Sequence, residues 1–277
     1  MATESTSTND NDAIARSVGE WFADMPLTRT HWLAGLTLFM AFVIESWEMM
    51  IIIFSSGAIG LEFELTSTQI GSLISAMFIG MIPGALMWGK LMGPMGRKQC
   101  LMWSIGLYGV FPLMSAFAPS FEALWAIRFL CGIVLSGALV VTFPFFEELV
   151  PVRVRGKATV YLSAGWPLGV LVAIGITVLL MHLGWRYVIG FSSLVALWAL
   201  VIWKLVPESP YWLAEKGRTS EANASINRLA EGRVTATTTA GISASGNDIA
   251  FLNIFRGAAL RTTIVQSVIN FCFAWGY

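Results

Sequence analysis

Charge is scarce in this sequence. Asp, Glu, Lys and Arg make up 12% of the 277 residues, about half the share usual in soluble domains. Seventeen basic residues balance seventeen acidic ones, so bulk electrostatics offers no footprint for a nucleic-acid partner. Cysteine is nearly absent. The three present, Cys100, Cys131 and Cys272, lie in or beside apolar runs and form no CxxC or Cys/His cluster, which argues against a disulfide framework or a zinc site. The two histidines, His31 and His182, stand alone at the ends of apolar runs, where solvation is expected. There is no phosphate-binding glycine loop, no nucleophile elbow and no His-rich metal motif. An enzymatic role, a cofactor and a bound metal therefore have no support. A cleavable signal is not expected either: the first apolar run starts some thirty residues in, is too long for a signal core, and has no small-residue cleavage site behind it.

What is present in excess is apolar surface. Hydrophobic residues make up 56% of the chain and mean hydropathy is +0.70, the composition of an all-α polytopic membrane protein. Counting about 20 apolar residues per crossing, six spans are expected near residues 32–57, 70–92, 99–118, 122–147, 157–182 and 185–206, with a seventh beginning near 259. Fifteen of the seventeen Lys and Arg fall on the side shared by the N-terminus and the segment after span six. The positive-inside rule puts that side in the cytoplasm, with a bacterial inner membrane as the expected setting. The exceptions are Arg186, expected to anchor at the outer interface beside Trp185, and Arg128, inside span four. The domain organisation that follows is a cytoplasmic tail over 1–31, whose first dozen polar residues read as disordered, a six-span bundle over 32–206, a cytoplasmic linker with short amphipathic helices over 207–258, and the truncated start of a seventh helix over 259–277.

Two carboxylates sit inside span one, in Val43-Ile44-Glu45-Ser46-Trp47-Glu48-Met49-Met50. A carboxylate at bilayer depth is costly and is by default a statement about function. Residues three apart share a helix face, so Glu45 and Glu48 are expected to look into one cavity. Two carboxyls that close in low dielectric do not comfortably both carry charge, so they should titrate as a unit. From Trp32 upward, Glu48 lies roughly 24 Å into the membrane, and Arg128 roughly 8 Å below the outer face of a core about 30 Å thick. The two are thus at similar heights, and a buried Arg requires a partner. Glu48 is the best one visible, Glu45 lying a turn lower. Proton coupling and a static ion pair joining spans one and four both remain open. Trp47, Trp166 and Trp198 lie away from the interfaces and are candidates to line the cavity. Trp166-Pro167 lies between Gly165 and Gly169, where proline can kink a helix, and Met81-Ile82-Pro83-Gly84 has the make-up of a close-packing and bending site.

Several motifs, in order and on the expected side, resemble those of the major facilitator superfamily. Gly89-Lys90-Leu91-Met92-Gly93-Pro94-Met95-Gly96-Arg97-Lys98 is similar to its Gly-x-Leu-Ala-Asp-Arg-x-Gly-Arg-Lys loop, with Gly93 in place of the Asp. Leu124-x-x-x-Arg128-x-x-Cys131-Gly132 resembles Leu-x-x-x-Arg-x-x-Gln-Gly. Glu148 through Gly156 resembles the Glu-x-x-Pro-x-x-x-Arg-Gly turn of sugar and organic-acid porters, and Pro207-Glu208-Ser209-Pro210-Tyr211-Trp212-Leu213 their Pro-Glu-Ser-Pro-Arg-Trp-Leu. Glu45-x-x-Glu48 falls where the aromatic-acid and niacin-like permeases carry a pair of Asp.

The resemblance implies the N-terminal six-helix half of such a carrier, a 3+3 inverted repeat. It implies proton coupling through Glu45, Glu48 and Arg128, and substrate contacts from Trp47, Arg128, Trp166, Gln266 and Asn270, the last two one helical turn apart. It also implies a cytoplasmic gate of Gly89, Gly93, Gly96, Arg97, Glu147, Glu148 and Arg155, in which Arg97 pairs with Glu147 or Glu148. The expected function is proton-coupled symport of a small aromatic or aliphatic acid, with a sugar/proton symporter or a non-transporting fragment as alternatives and antiport as a minor reading. Expected partners are a small-molecule substrate, protons, the lipid bilayer and a second six-helix half. The chain stops inside an apolar run at Trp275-Gly276-Tyr277, so an incomplete N-terminal part is the expectation.

Overall fold

A computed structural model describes residues 17–233 and, beyond them, Leu260, Arg261, Ile264, Val265 and Val268. The described residues are helical apart from short connections. A short helix, α1 (Val18–Asp24), precedes span one, α2 (Arg29–Glu62). Span two is α3 (Ser67–Met95). Span three is split at Gly109 into α4 (Arg97–Tyr108) and α5 (Val110–Ala116), and span four is α6 (Phe121–Leu149). Span five comprises α7 (Arg155–Ser163) and α8 (Gly165–Leu180). Span six comprises α9 (Trp185–Phe191) and α10 (Ala196–Leu205), joined by a 3-10 turn. Two further helices follow, α11 (Pro210–Glu215) and α12 (Thr219–Ala230). Five of the six crossings are helical stretches long and apolar enough to span a membrane, spans five and six being counted across their internal breaks, and the split third is the exception. Side chains define several starts. Thr28 and Thr66 close capping boxes with His31 and Gln69 at the heads of spans one and two, and Ser120 caps span four. Span one begins earlier than its apolar run because of that cap, and its His31 is buried rather than solvated.

Span one is 78% buried over its most apolar stretch and span four 56%, against 17% for span five, so spans one and four form the axis. The two most extensive packings are span two against span four and span five against span one, and both use glycines four apart. A Cβ on Gly80 would lie 2.0 Å from the Phe129 carbonyl oxygen, and one on Gly84 would lie 2.2 Å from Ser136 Oγ. In the other crossing, a Cβ on Gly169 would lie 2.3 Å from the Val43 carbonyl oxygen, and Gly165 packs at 3.3 Å on Phe42. Small residues at this spacing let helix backbones touch. Each three-span unit thus lends its middle span to the first span of the other, which is the geometry of a 3+3 inverted repeat. Met81-Ile82-Pro83-Gly84 does close-pack, although α3 runs through Pro83 without a break. Span five breaks at Ala164, just ahead of Trp166-Pro167, where Pro167 has no N–H to donate to the Ser163 carbonyl.

The segment after span six is docked as well as amphipathic. Trp212, Leu213, Ala222, Ile226 and Leu229 enter the main core, and Phe22 of α1 packs on Tyr211 with ring centroids 5.5 Å apart. The expected N-terminal tail therefore contains an ordered helix. Its first sixteen residues, the linker from 234 on, Gln266, Asn270 and Cys272 lie outside the described residues.

Candidate functional site

Glu45, Glu48 and Arg128 are each fully buried. They lie within the packed bundle and not on the wall of an open cavity, a departure from the expected placement. The cause is the convergence of four spans on Glu48. Tyr108, the last residue of α4, donates to Glu48 Oε2 at 2.6 Å. Ser192, in the turn that breaks span six, approaches the same carboxylate without a hydrogen bond of normal geometry, and Arg128 of span four is within electrostatic reach. The breaks in spans three and six meet here, since a Cβ on Gly109 would lie 2.8 Å from the Ser193 carbonyl oxygen. Such interruptions in otherwise regular helices often mark functional positions.

The cluster is incompletely bonded. None of the three guanidinium nitrogens of Arg128 has a hydrogen-bond partner among the described residues, nor does either oxygen of Glu45, Oε1 of Glu48 or Nε1 of Trp47. Arg128 forms no ion pair with either glutamate, so the expected direct pairing with Glu48 is replaced by a looser association. Buried polar groups are normally satisfied, and each exception calls for an explanation. Trp47 packs near Phe191, with ring centroids 6.1 Å apart. Trp166 receives the Ser46 hydroxyl on its carbonyl oxygen at 2.7 Å. Trp198 ties span six to span one by donating to the Thr37 carbonyl at 3.1 Å.

A second cluster occupies the basic side of the bundle. Arg97 donates through Nε and Nη2 to Glu148 Oε1, at 3.2 and 3.0 Å, joining the span two to three loop to the end of span four without the motif Asp. Glu147 is not part of that pair and accepts from Thr159 at 3.0 Å. Arg155 donates to the Tyr211 hydroxyl at 2.7 Å and to the Val150 carbonyl at 3.3 Å. Gly93 serves through its backbone, accepting Trp212 Nε1–H at 2.8 Å, and a Cβ there or on Gly89 would meet nothing within 4 Å. Gly96 has φ +92, and Glu208 Oε2 lies 2.6 Å from where its Cβ would be. Glu208 Oε1 accepts the backbone N–H of Lys98 at 3.0 Å and of Ser209 at 2.9 Å. Burial raises the Glu208 carboxyl above the ordinary range despite these bonds. On the opposite side Arg186 pairs with Glu62 and donates to the Ala118 carbonyl at 3.1 Å, a tie between three spans more than a simple anchor.

Tyr108 and Glu208 join these sites beyond the residues expected from the sequence. Tyr108 had a signal: a phenol deep in an apolar run must find a partner. Glu208 stands in the Pro207-Glu208-Ser209-Pro210 motif, where nothing in the sequence marks its contact with Lys98.

Comparison with known proteins decides the family. The profile described as "Sugar (and other) transporter" matches residues 6–273. The chain belongs to that family. Its members are transporters of the major facilitator superfamily, not enzymes, and this chain corresponds to the N-terminal half. Among relatives, it is 31% identical over 207 residues to the niacin transporter NiaP of Acinetobacter baylyi, covering 74% of this chain and 47% of that one. It is 32% identical over 192 residues to organic cation/carnitine transporter 7 of Arabidopsis thaliana, covering 69% and 38%. The partially occluded, inward-open xylose transporter XylE of E. coli shares the fold with a TM-score of 0.67 at 19% identity, covering 73% and 56%. The chain thus spans about half the length, or less, of the relatives it matches.

Proposed function

We propose that this chain forms the N-terminal half of a proton-coupled symporter for a small organic acid, working with a second six-helix half that supplies the opposite wall of the substrate site. Glu48, with Glu45, takes up and releases the proton. Arg128 is the charge that exchanges between the carboxylates and an anionic group, and Arg97, Glu148 and Arg155 close the cytoplasmic side. The observation that carries the reading is the buried Arg128, whose guanidinium has no hydrogen-bond partner among the described residues although it stands within electrostatic reach of the incompletely bonded Glu48. A static structural pair would be bonded, because one partner left unpaired in the interior is strongly destabilising. A group that changes partners through a transport cycle has reason to be left short in one conformation. The orientation supporting this role has the basic side in the cytoplasm, in a bacterial inner membrane.

An acid is favoured over a sugar by a groove of about 340 Å³ on the basic side, between spans one, four and five. Its walls include Trp32, Leu36, Phe146 and Tyr161, its polar groups are His31, Lys157, the Tyr161 hydroxyl and the Trp32 indole N–H, and it holds no Asn, Gln, Ser or Thr. An aromatic ring with a negative end suits such a lining, whereas a sugar requires several hydroxyl partners. The sugar reading is kept by the family description and the XylE fold. The deciding experiment is proton-driven uptake by a full-length transporter carrying this half, with Glu48→Gln and with acids and sugars in competition. Uptake that keeps its pH dependence in Glu48→Gln removes Glu48 from coupling, and competition by sugars alone removes the acid.

A further inference from the structure

Tyr108 is the last residue of α4, and span three breaks at the next, Gly109. A Cβ on Gly109 would lie 2.8 Å from the Ser193 carbonyl oxygen, so spans three and six rest backbone on backbone beside the phenol, which is fully buried. Its hydroxyl donates to Glu48 Oε2 at 2.6 Å. The other groups around that carboxyl hold it less firmly. Arg128 and Cys131 of span four are within electrostatic reach, yet no nitrogen of Arg128 has a hydrogen-bond partner among the described residues. Ser192 of span six approaches without a bond of normal geometry, and Glu45, a turn below on span one itself, has neither oxygen bonded. Oε1 of Glu48 is likewise without a partner among the described residues. The two oxygens of one carboxyl thus differ: Oε2 is fixed and Oε1 is open.

We propose, resting on the reading of Glu48 as the coupling acid, that Tyr108 is the positioning residue of the proton site: it holds Oε2, leaves Oε1 as the atom that takes the proton, and stabilises the carboxylate once the proton has gone. Release breaks the O–H bond at Oε1 and leaves its electron pair on the carboxylate, whose charge is shared by both oxygens. The phenol keeps its own proton and donates in both states, more strongly to the ionised one because that bond is charge-assisted. A charge left in the interior without such a donor is costly. When Arg128 turns to an anionic group on the substrate, the bond from Tyr108 stays, because it comes from the packed junction of spans three and six and not from the guanidinium.

The test separates two modes of transport in vesicles containing the full-length transporter that carries this half. Net uptake driven by a proton gradient requires Glu48 to release its proton in every cycle, whereas exchange of labelled for unlabelled substrate runs with the proton held. Tyr108→Phe should slow net uptake about tenfold and leave exchange within about twofold of the parent. A merely structural role would lower both rates together. Glu48→Gln tests the underlying reading and should abolish net uptake together with its pH dependence. Net uptake that keeps its pH dependence in Glu48→Gln removes the coupling acid, and the role of Tyr108 with it. Loss of net uptake in Glu48→Gln, combined with unchanged net uptake or an equal fall of both rates in Tyr108→Phe, overturns the role of Tyr108 alone. If Tyr108→Phe does not fold, p-aminophenylalanine at position 108 retains the shape and a weaker donor. It should lower net uptake by a smaller factor with exchange unchanged, and an equal effect on both rates, or on neither, overturns the proposal.

Discussion

The phenolic oxygen of Tyr108 lies 2.6 Å from Oε2 of Glu48, and both residues are fully buried. Span three therefore supplies the only hydrogen bond of normal geometry to the Glu48 carboxyl among the described residues, at the point where its own helix breaks before Gly109. Replacing Tyr108 by Phe strands a buried acceptor, which costs about 1–3 kcal/mol. Thermal unfolding in detergent should show this loss. In Tyr108→Phe combined with Glu48→Leu, which leaves no acceptor, the loss should fall short of the sum of the singles by at least about 0.5 kcal/mol, whereas strict additivity would mean that the two groups do not interact.

The glycine crossings are expected to tolerate no methyl group. In Gly132→Ala the new Cβ would stand 1.9 Å from the Met77 carbonyl oxygen, and in Gly80→Ala 2.0 Å from that of Phe129. The neighbour in each case is backbone, so the spans must separate, at about 1–3 kcal/mol or more. Gly89→Ala provides the contrast. Nothing lies within 4 Å of its Cβ, and helix propensity alone favours Ala by up to about 1 kcal/mol. A melting temperature lower in Gly89→Ala than in Gly132→Ala would contradict the packing described.

Glu208 gives the basic side a pH dependence whose sign follows from burial. Its folded-state pKa is raised, so its contribution to stability is complete below the unfolded value of about 4.3 and is lost as pH rises through the folded value. Glu208→Gln keeps an acceptor for the Lys98 and Ser209 N–H groups and removes the titration. Melting curves between pH 4 and pH 7 should show the parent protein losing stability relative to Glu208→Gln as pH increases. Parallel curves would remove Glu208 as the source.

Much of the fold was legible because bilayer depth constrains sequence so tightly. The span positions follow from apolar length, and the Arg97 to Glu148 pair could be narrowed to two acids from the position of span four's end. The finer geometry was not legible, for separate physical reasons. The split of span three at Gly109 reflects the approach of Ala196 and Ser193, residues almost ninety positions away. The docking of α1 depends on Phe22 meeting Tyr211, and a seven-residue helix has too little periodicity to announce itself. The cavity expected around Glu45 and Glu48 came from counting helix faces, which shows that two side chains share a direction and leaves open what stands in that direction. For Glu48 it is Tyr108 and the turn at Ser192.

The paired glycine crossings bear on motion as well as on stability. Where backbone rests on backbone there is no side chain to change rotamer and take up a displacement, so the two three-span units are keyed together at two points on opposite sides of the axis. The bundle is then stiff against shear, and its soft points are the interruptions at Gly109, Ala164 and Ser192. A carrier built on this half would swing it as one lever, with any bending confined to those three joints, two of which abut Glu48.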